Sequence, residues 1–330
     1  MYLASEQRYA SMPYRHAGQT GLSLPALSLG LWHNFGQHDT MDNMRALLLT
    51  AFDHGITHFD LANNYGPPGG CAEANFGHIL SRDLHPYRDE LIISTKAGCE
   101  MWPGPYGQLG SRKHLLASLD QSLRRMQLDY VDIFYLHCQD DATPLEESIL
   151  ALDHAVRQGK VLYAAISNHT SPALEKAVRI LMELHTPFVL LQNSYSMLNR
   201  RIEKNGVQQF AVNNGHGIIA FKPLEQGLLT GKYLNGIPAD SRIRTDGRYL
   251  REGSLNERNH QQGAQLQQLA TQRGQTLAEM ALAWVYNRPG VASVLIGASR
   301  PQQILDNLRM LYSPPFSEEE LALIDQIAAL

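Results

Sequence analysis

The chain has 330 residues, of which 44% are hydrophobic, 18% are charged, 26 are glycine and 16 are proline. This composition excludes disordered, collagen-like and coiled-coil proteins and small domains held together by disulfides. Lys and Arg total 28 against 32 Asp and Glu, a net charge of −4, so overall charge does not draw the protein to nucleic acid or anionic membranes.

No apolar run reaches the roughly 18 residues needed to cross a bilayer, and the first residues lack the apolar segment of a secretion signal. The three cysteines, Cys71, Cys99 and Cys138, are an odd number and contain no C-x-x-C motif. This usage fits a reducing compartment and argues against a structural zinc. We therefore expect a cytoplasmic protein that binds neither nucleic acid nor membrane.

Short apolar runs rich in β-branched residues predict eight strands. They begin near Ala26, Ile56, Leu91, Val131, Val161, Phe188, Gly217 and Ala292. The first seven starts are about 32 residues apart, the length of one strand, one crossover helix and two turns. Because these runs are apolar on both faces, they are typical of parallel strands covered by helices.

Amphipathic stretches between the strands predict helices over 41–52, 73–80, 114–126, 145–156, 171–184 and 201–212. Eight strand–helix units predict a (β/α)8 TIM barrel, which we take to be a single domain spanning residues 1–330. The interval between the seventh and eighth strands is more than twice the usual length, so we expect a long loop over the barrel mouth, followed by two helices. Turn residues Gly18 and Gly21 predict an N-terminal hairpin that caps one barrel end.

Polar residues stand where several predicted strands end, which is where barrels of this type carry their functional groups. Asp60, Tyr65, Lys96 and His137 together predict a proton-delivery device. A nearby Lys96 ammonium would make the Tyr65 phenol a usable acid, Asp60 would hold that ammonium, and His137 would orient a substrate oxygen. Taken singly, the same residues also fit a helix cap, a solvated lysine and a core histidine.

A second group of residues predicts a phosphate-binding region. Ser299 and Arg300 precede Pro301 at a predicted helix start, where free backbone N–H groups and the helix dipole favour an anion. Gln303 and Asn307, one turn apart, could read an adenine edge. The segment PLEQGLLTGK after the seventh strand, with Arg242 from the long loop, could wrap a pyrophosphate. No G-x-G-x-x-G follows the first strand, which argues against a Rossmann site.

We expect no metal site in the chain. His54 and His58 are four residues apart, but one falls at a helix end and the other in a strand, so they do not share a helical face.

Four motifs resemble those of the aldo-keto reductase superfamily, in the same order and over essentially the whole chain. They are HFDLANNYG, ISTKAG, FYLHC and IGASRPQQILDNL. Within the superfamily, SLGLWHNFG and NNYGPPGG are most similar to a group of bacterial L-glyceraldehyde 3-phosphate reductases, which are relatives of the potassium-channel β-subunits.

The resemblance implies an enzyme that reduces small aldehydes, such as glyceraldehyde 3-phosphate or methylglyoxal, with NADPH bound across the barrel mouth. It implies Tyr65 as the acid, Lys96 and Asp60 as the pair that tunes it, and His137 as the residue that orients the substrate. The cofactor contacts it implies are Trp32, Asp60, Ser167, Asn168, Gln192, Phe221, Lys222, Pro223, Leu224, Gln226, Lys232, Arg242, Gly297, Ser299, Arg300, Gln303, Asp306 and Asn307. Relatives suggest assembly into homotetramers or homo-octamers.

Three positions depart from the pattern of the relatives. Lys222 and Glu225 stand where a small or hydroxylated residue and an alanine are usual, and Cys138 stands where an arginine is frequent. A carboxylate beside a pyrophosphate is unfavourable unless a cation pairs with it, and loss of the arginine removes a group that could hold a phosphorylated substrate. Trp102 and Tyr106 are predicted to line the substrate entrance together with Trp32.

Two alternative functions follow from the same sequence. One is a nucleotide-binding, redox-sensing protein like the channel β-subunits, in which turnover is incidental. The other is a metal-dependent hydrolase on the same barrel, whose activity would be lost to chelators and indifferent to nicotinamide nucleotides.

Overall fold

A computed structural model describes residues 2–234, 236–238, 241–245 and 255–330. Its centre is a closed barrel in which eight parallel strands follow one another in chain order, so the predicted (β/α)8 barrel is confirmed. The barrel strands are β3 (Leu27–Gly30), β4 (His58–Asp60), β5 (Ile92–Ala97), β6 (Val131–Leu136), β7 (Val161–Ser167), β8 (Phe188–Ser194), β9 (Gly217–Phe221) and β10 (Val291–Ile296). Parallel pairing brings the carboxyl ends of all eight strands to one end of the barrel.

Helices cover the outside of the barrel. They are α1 (Met41–Asp53), α2 (Cys71–Ile79), α3 (Arg112–Met126), α4 (Leu145–Arg157), α5 (Ser171–Glu183), α6 (Arg201–Lys204), α7 (Val207–Asn213), α8 (Arg242–Thr245), α9 (Glu257–Gln272), α10 (Leu277–Tyr286), α11 (Pro301–Leu308) and α12 (Glu318–Ala329). Capping boxes begin two of them, Thr276 with Glu279 at α10 and Ser317 with Glu320 at α12.

Two predicted helices differ from the structure in detail. The helix predicted over 201–212 is divided into α6 and α7, because Gly206 takes the left-handed conformation with φ of 84°. The helix predicted over 73–80 begins two residues earlier, at Cys71, and continues into a π-helical turn over Leu80–Leu84.

The predicted N-terminal hairpin is present and closes the amino end of the barrel. It consists of β1 (Tyr14–His16) and β2 (Ser23–Pro25), which pair antiparallel. The Tyr14 hydroxyl donates to Gly55 O at 2.7 Å, and Gln19 N donates to Gly215 O at 2.7 Å, just before β9 begins. The buried Leu24 side chain packs with residues of the barrel interior. The hairpin therefore lies at the end opposite the carboxyl ends of the strands, where the predicted site residues are.

The long segment between β9 and β10 contains a 3-10 turn over Glu225–Thr230, followed by α8, α9 and α10. The two helices predicted before the last strand are thus confirmed as α9 and α10. Most of the Gly- and Arg-containing stretch that precedes them, NGIPADSRIRTDGRYLREG, lies outside the described residues. Within the described part of the chain, none of the helices combines the length and apolar character needed to cross a membrane.

Candidate active site

A buried ion pair lies at the carboxyl end of the barrel. Lys96 Nζ is 2.5 Å from Asp60 Oδ2 and donates to Leu61 O at 2.7 Å, and both charged side chains are 0% exposed. Burial opposes ionisation of Asp60, but the Lys96 ammonium outweighs it and holds the pKa of this carboxyl below its usual value. Burial also lowers the pKa of Lys96, against the attraction of Asp60. Asp60 is therefore a carboxylate at neutral pH, bonded to the lysine in front of it.

Tyr65 lies on the β4–α2 connection, with its hydroxyl 3.4 Å from Lys96 Nζ. The connection is held by backbone bonds, because Tyr65 N donates to Ala62 O at 3.1 Å and Tyr65 O accepts from Gly70 N at 3.1 Å, at the start of α2. The Trp32 ring stands 6.2 Å from the Tyr65 ring, between centroids. The phenol is thus fixed between a buried ammonium and the barrel mouth.

His137 directly follows β6, and its ring meets the Tyr65 ring edge-on at 6.1 Å between centroids. Its backbone N donates to Ala97 O at 2.9 Å, which extends the pairing of β5 and β6 by one residue. Burial, assisted by the Lys96 charge, lowers the pKa of His137 to about 3. The imidazole is therefore neutral at pH 7 and has one N–H to donate. The structure brings the four residues of the predicted proton-delivery device together.

A row of hydrogen-bonded side chains that the sequence did not predict lies beneath the ion pair. His58 Nδ1 bonds to Ser28 Oγ at 2.8 Å, and its Nε2 bonds to Ser94 Oγ at 2.9 Å. Ser94 Oγ in turn donates to Asp60 Oδ1 at 2.7 Å. His58 lies two residues before Asp60 in β4, so the two-residue period of a strand was the available signal. Burial lowers the pKa of His58 to about 4, so this imidazole is neutral at pH 7.

Several residues predicted as cofactor contacts lie on the β7 and β8 side of the mouth. Gln192 Nε2 donates to Asp60 Oδ1 at 3.0 Å, so this side chain is engaged with the ion pair. Ser167 Oγ donates to Gln192 O at 3.0 Å, and Asn168, which has a φ of 58°, donates through Nδ2 to His137 O at 3.2 Å. These contacts fix the rim beside His137.

The connection after β9 has an unusual backbone. Lys222, Glu225 and Gln226 have φ of 55°, 44° and 56°, in the left-handed region. Lys222 Nζ lies 5.3 Å over the Trp32 ring, and among the described residues the buried Oε1 of Gln226 has no hydrogen-bond partner. The other predicted contacts of this connection, Phe221, Pro223 and Leu224, flank these residues, and Lys232 follows in the next turn.

Glu225, a departure from the pattern of relatives, is bonded within the protein. Ser196 Oγ donates to its Oε1 at 2.8 Å. Burial raises the pKa of this carboxyl, against the Ser196 hydrogen bond and the Lys222 charge. The carboxylate is therefore held partly inside the structure instead of facing the mouth without a partner.

The region after β10, which was predicted to bind a phosphate and an adenine, contains both exposed side chains and side chains that are bonded within the protein. Gly297 and Arg300 are exposed, and α11 begins at Pro301 as expected. Gln303, however, accepts from Ser299 N at 2.7 Å and from Ser299 Oγ at 3.1 Å, so this amide caps the helix start. Asp306 accepts from Gln302 Nε2 at 2.9 Å, and Asn307 is buried. The side chain of Arg242 lies outside the described residues.

Two cysteines meet beside His137. Cys99 and Cys138 form a disulfide with 6.0 Å between Cα atoms, a pairing that was not predicted from the odd number of cysteines. Among the residues that the structure describes, Cys99, His137 and Cys138 are also the group whose potential metal-binding atoms lie within 4.8 Å of one another. The bonded sulfurs are engaged with each other in this structure. Cys71 is the free cysteine.

Comparison with known proteins places the chain among related sequences. Residues 26–329 match the sequence model of the aldo/keto reductase family. The chain is 56% identical to the L-glyceraldehyde 3-phosphate reductases of Escherichia coli O157:H7 and Escherichia coli strain K12, over 329 residues that cover 99% of this chain and 95% of each relative. It is 34% identical to a probable voltage-gated potassium channel subunit beta of Arabidopsis thaliana, over 304 residues that cover 90% of both chains. With these similarities running through the barrel and the motifs at its mouth, the chain belongs to the aldo/keto reductase family.

Proposed function

We propose that the protein reduces small polar aldehydes to alcohols with NADPH, and that Tyr65 is the proton donor. One observation carries this proposal: the Tyr65 hydroxyl lies 3.4 Å from an ammonium that is itself buried against a carboxylate. The arrangement supports proton transfer from the phenol, because the cation stabilises the negative charge left on the phenol oxygen.

The proposed proton transfer uses groups that are already in position. Tyr65 donates its hydroxyl proton to the carbonyl oxygen of the aldehyde, and Lys96, held by Asp60, stabilises the phenolate that remains. Neutral His137 donates its N–H to the same oxygen and so orients the carbonyl. The nicotinamide, when bound, supplies the hydride that the carbonyl carbon accepts.

The connection after β9 and the start of α11 are the proposed nucleotide-binding residues. Two features of the described residues support this fit. The buried Oε1 of Gln226 accepts no hydrogen bond from any of them and could accept one from a ribose hydroxyl, and a side chain added at Gly297 would meet none of their atoms within 4 Å, so there is space for a ligand. Arg300, exposed at the helix start, would bind the 2′-phosphate and so select NADPH. The other predicted contacts, Lys232 and Arg242 included, stay part of this proposal.

The proposed substrates are glyceraldehyde 3-phosphate, methylglyoxal and similar aldehydes. The first is supported by the name of the two reductases with which the chain shares 56% identity. Cys138 follows His137, where the resemblance to the family implies an arginine that could hold a phosphate. A comparison of phosphorylated and unphosphorylated glyceraldehyde by kcat/KM tests whether the phosphate contributes to binding.

A second candidate function is a nucleotide-binding subunit in which turnover is incidental. The 34% identity to a probable potassium channel subunit beta favours it. Tight retention of the nucleotide with negligible oxidation by any aldehyde would support this candidate, whereas rapid NADPH oxidation with an aldehyde supports the reductase.

We further propose that the whole chain acts as one domain, works in the cytoplasm, and assembles into homotetramers or homo-octamers. Light scattering measures the assembly directly, and a monomeric mass would contradict it.

Substitution of Tyr65 by phenylalanine tests the proposed function. We expect Tyr65→Phe to lower kcat for aldehyde reduction by roughly 100- to 10,000-fold, the usual contribution of a general acid. NADPH affinity, measured by fluorescence titration, should change little, because the phenol hydroxyl is assigned to the substrate. Tyr312→Phe serves as the control, because it alters an exposed tyrosine in the 3-10 turn that follows α11. Unchanged turnover in Tyr65→Phe would remove this tyrosine from the mechanism.

A further inference from the structure

Cys99 and Cys138 are held opposite each other by the barrel itself. In the pairing of β5 with β6, Ala97 is opposite Leu136, and each cysteine lies two residues beyond its member of that pair. The bond from His137 N to Ala97 O extends the same ladder toward them. Because the strand register sets the separation of these two backbone positions, the reduced cysteines remain close enough to form the disulfide again, and the disulfide links the residues after β5 to those after β6.

The pair also lies at the proposed substrate entrance. Cys138 is adjacent to His137, and Cys99 is the second residue of the β5–α3 connection, residues 98–111, which we call the entrance loop. This loop carries Trp102, whose ring packs 5.0 Å from the His114 ring, and the exposed Tyr106. Both cysteines are partly exposed, so small thiols and disulfides in solution can reach them.

We propose that Cys99 and Cys138 are a reversible thiol–disulfide modification site whose state sets the KM for the aldehyde. This inference rests on the proposed reductase function. A thiolate of the pair attacks a low-molecular-weight disulfide such as oxidised glutathione, forming a mixed disulfide and releasing one glutathione thiol. The other cysteine then attacks the protein-bound sulfur and releases the second thiol. The two protein thiols lose two electrons and their protons, which reduce the external disulfide to two thiols, and a dithiol reverses both steps.

The disulfide acts on the entrance loop and leaves the proton donor unaffected. Lys96 bonds to Asp60, Leu61 O and Tyr65, all outside the loop. His137 keeps backbone bonds to Ala97 and Asn168 that do not depend on sulfur. The bonded state therefore pre-orders the loop for substrate, and reduction adds the cost of ordering it to binding. We expect reduction to raise the KM for glyceraldehyde about 2- to 10-fold, with kcat changed by less than about twofold.

The test compares the full chain after treatment with oxidised glutathione and after treatment with dithiothreitol, each reagent then removed. Both samples contain EDTA, because reduced Cys99 and Cys138 with His137 could bind a thiophilic metal. Thiols are counted after denaturation and located by mass spectrometry. Of the three cysteines, we expect all to titrate in the reduced protein and Cys71 alone in the oxidised protein. C99S should lose the redox response of KM, whereas C71S, at the start of α2, should keep it.

A second readout does not need turnover. Chymotrypsin should cleave after Tyr106, which is 52% exposed, several-fold faster in the reduced protein, because the loop has lost its tether. If no aldehyde is reduced, the proposed function fails, while thiol counts and cleavage rates still decide whether the site exists and controls the loop. Three titratable thiols after oxidation, or equal KM values and cleavage rates in both states, would overturn the proposal.

Discussion

The two sides of the barrel mouth differ in how their charged groups are buried and paired. Around β4 and β5, Asp60 and Lys96 are fully buried and bonded to each other, and Ser94 and Gln192 supply further hydrogen bonds to the carboxylate. Around β9 and β10, Lys222 and Glu225 are half-buried and Arg300 is exposed, and Gln226 Oε1 has no partner in the part of the chain that the structure describes.

This difference separates groups that must be paired when the protein folds from groups that are proposed to bind the nucleotide. A buried charge is tolerated only when it is paired, so the proton-donor side must be assembled as the chain folds. Exposed groups on the proposed nucleotide-binding side do not have to be paired during folding, because water solvates them. Changes on the first side should therefore affect both stability and turnover, and changes on the second should affect nucleotide affinity alone.

The largest effect is expected from breaking the buried pair. Lys96→Met leaves the Asp60 charge buried without its cation, which should cost about 3–5 kcal/mol of unfolding free energy. Turnover should fall by roughly 1,000-fold or more, because Tyr65 loses the ammonium that stabilises its phenolate. Urea denaturation and NADPH oxidation measure the two losses.

The control for this variant is a lysine in an ion pair at the protein surface. Lys160 Nζ lies 2.7 Å from Asp120 Oδ1, and both side chains are more than a third exposed. Lys160→Met should change the unfolding free energy by less than about 1 kcal/mol and leave turnover intact. If the two substitutions destabilise equally, the buried pair is not a requirement of folding.

The proton-donor side was also the more predictable one. Asp60, Lys96 and His137 each end or follow an apolar run, and parallel strands bring such positions to one edge, so the sequence was enough to group them with Tyr65. His58 was missed as a partner, although its spacing from Asp60 puts both side chains on the same face of β4. These positions were recognised because several of the apolar runs stop at a polar residue.

Pairings that depend on register or on competition were beyond the sequence. Cys99 and Cys138 meet because Ala97 is opposite Leu136. The sequence of either strand alone does not determine this register. Gln303 accepts from Ser299 N, and its position four residues after Ser299 fits both this helix cap and the proposed adenine contact, so spacing alone did not predict the cap.

A smaller effect is expected on the nucleotide side. Arg300→Ala should raise the Kd for NADPH about 10- to 100-fold, the value of a charge-assisted contact to phosphate, and change the Kd for NADH by less than about twofold. The unfolding free energy should stay nearly constant, because Arg300 is exposed. Arg309→Ala is the matched control, since this arginine is 69% exposed just after α11 and lies 3.9 Å from Glu279. Equal weakening of NADPH and NADH would mean that another residue binds the 2′-phosphate.

The smallest effect concerns Glu225, which stands within the proposed pyrophosphate site. Burial raises the pKa of this carboxyl, so its charge is lost as the pH falls while an ordinary glutamate would still be ionised. The ionised form repels the pyrophosphate, and the protonated form does not. Glu225→Gln should therefore tighten NADP⁺ binding about 2- to 5-fold near pH 8, and this advantage over the unmodified protein should shrink as the pH falls to about 5.

Glutamine can still accept the hydrogen bond from Ser196 Oγ, so the substitution removes the charge and keeps that contact. Comparison at the same pH cancels titration of the 2′-phosphate, which occurs in both proteins. Glu175→Gln, at a glutamate in α5 that bonds to Ser171, is the control and should change the affinity at neither pH. If the tighter NADP⁺ binding of Glu225→Gln persists unchanged at low pH, the shape of the Glu225 side chain, and not its charge, limits NADP⁺ affinity. The two sides of the mouth would then differ in packing as well as in the pairing of their charges.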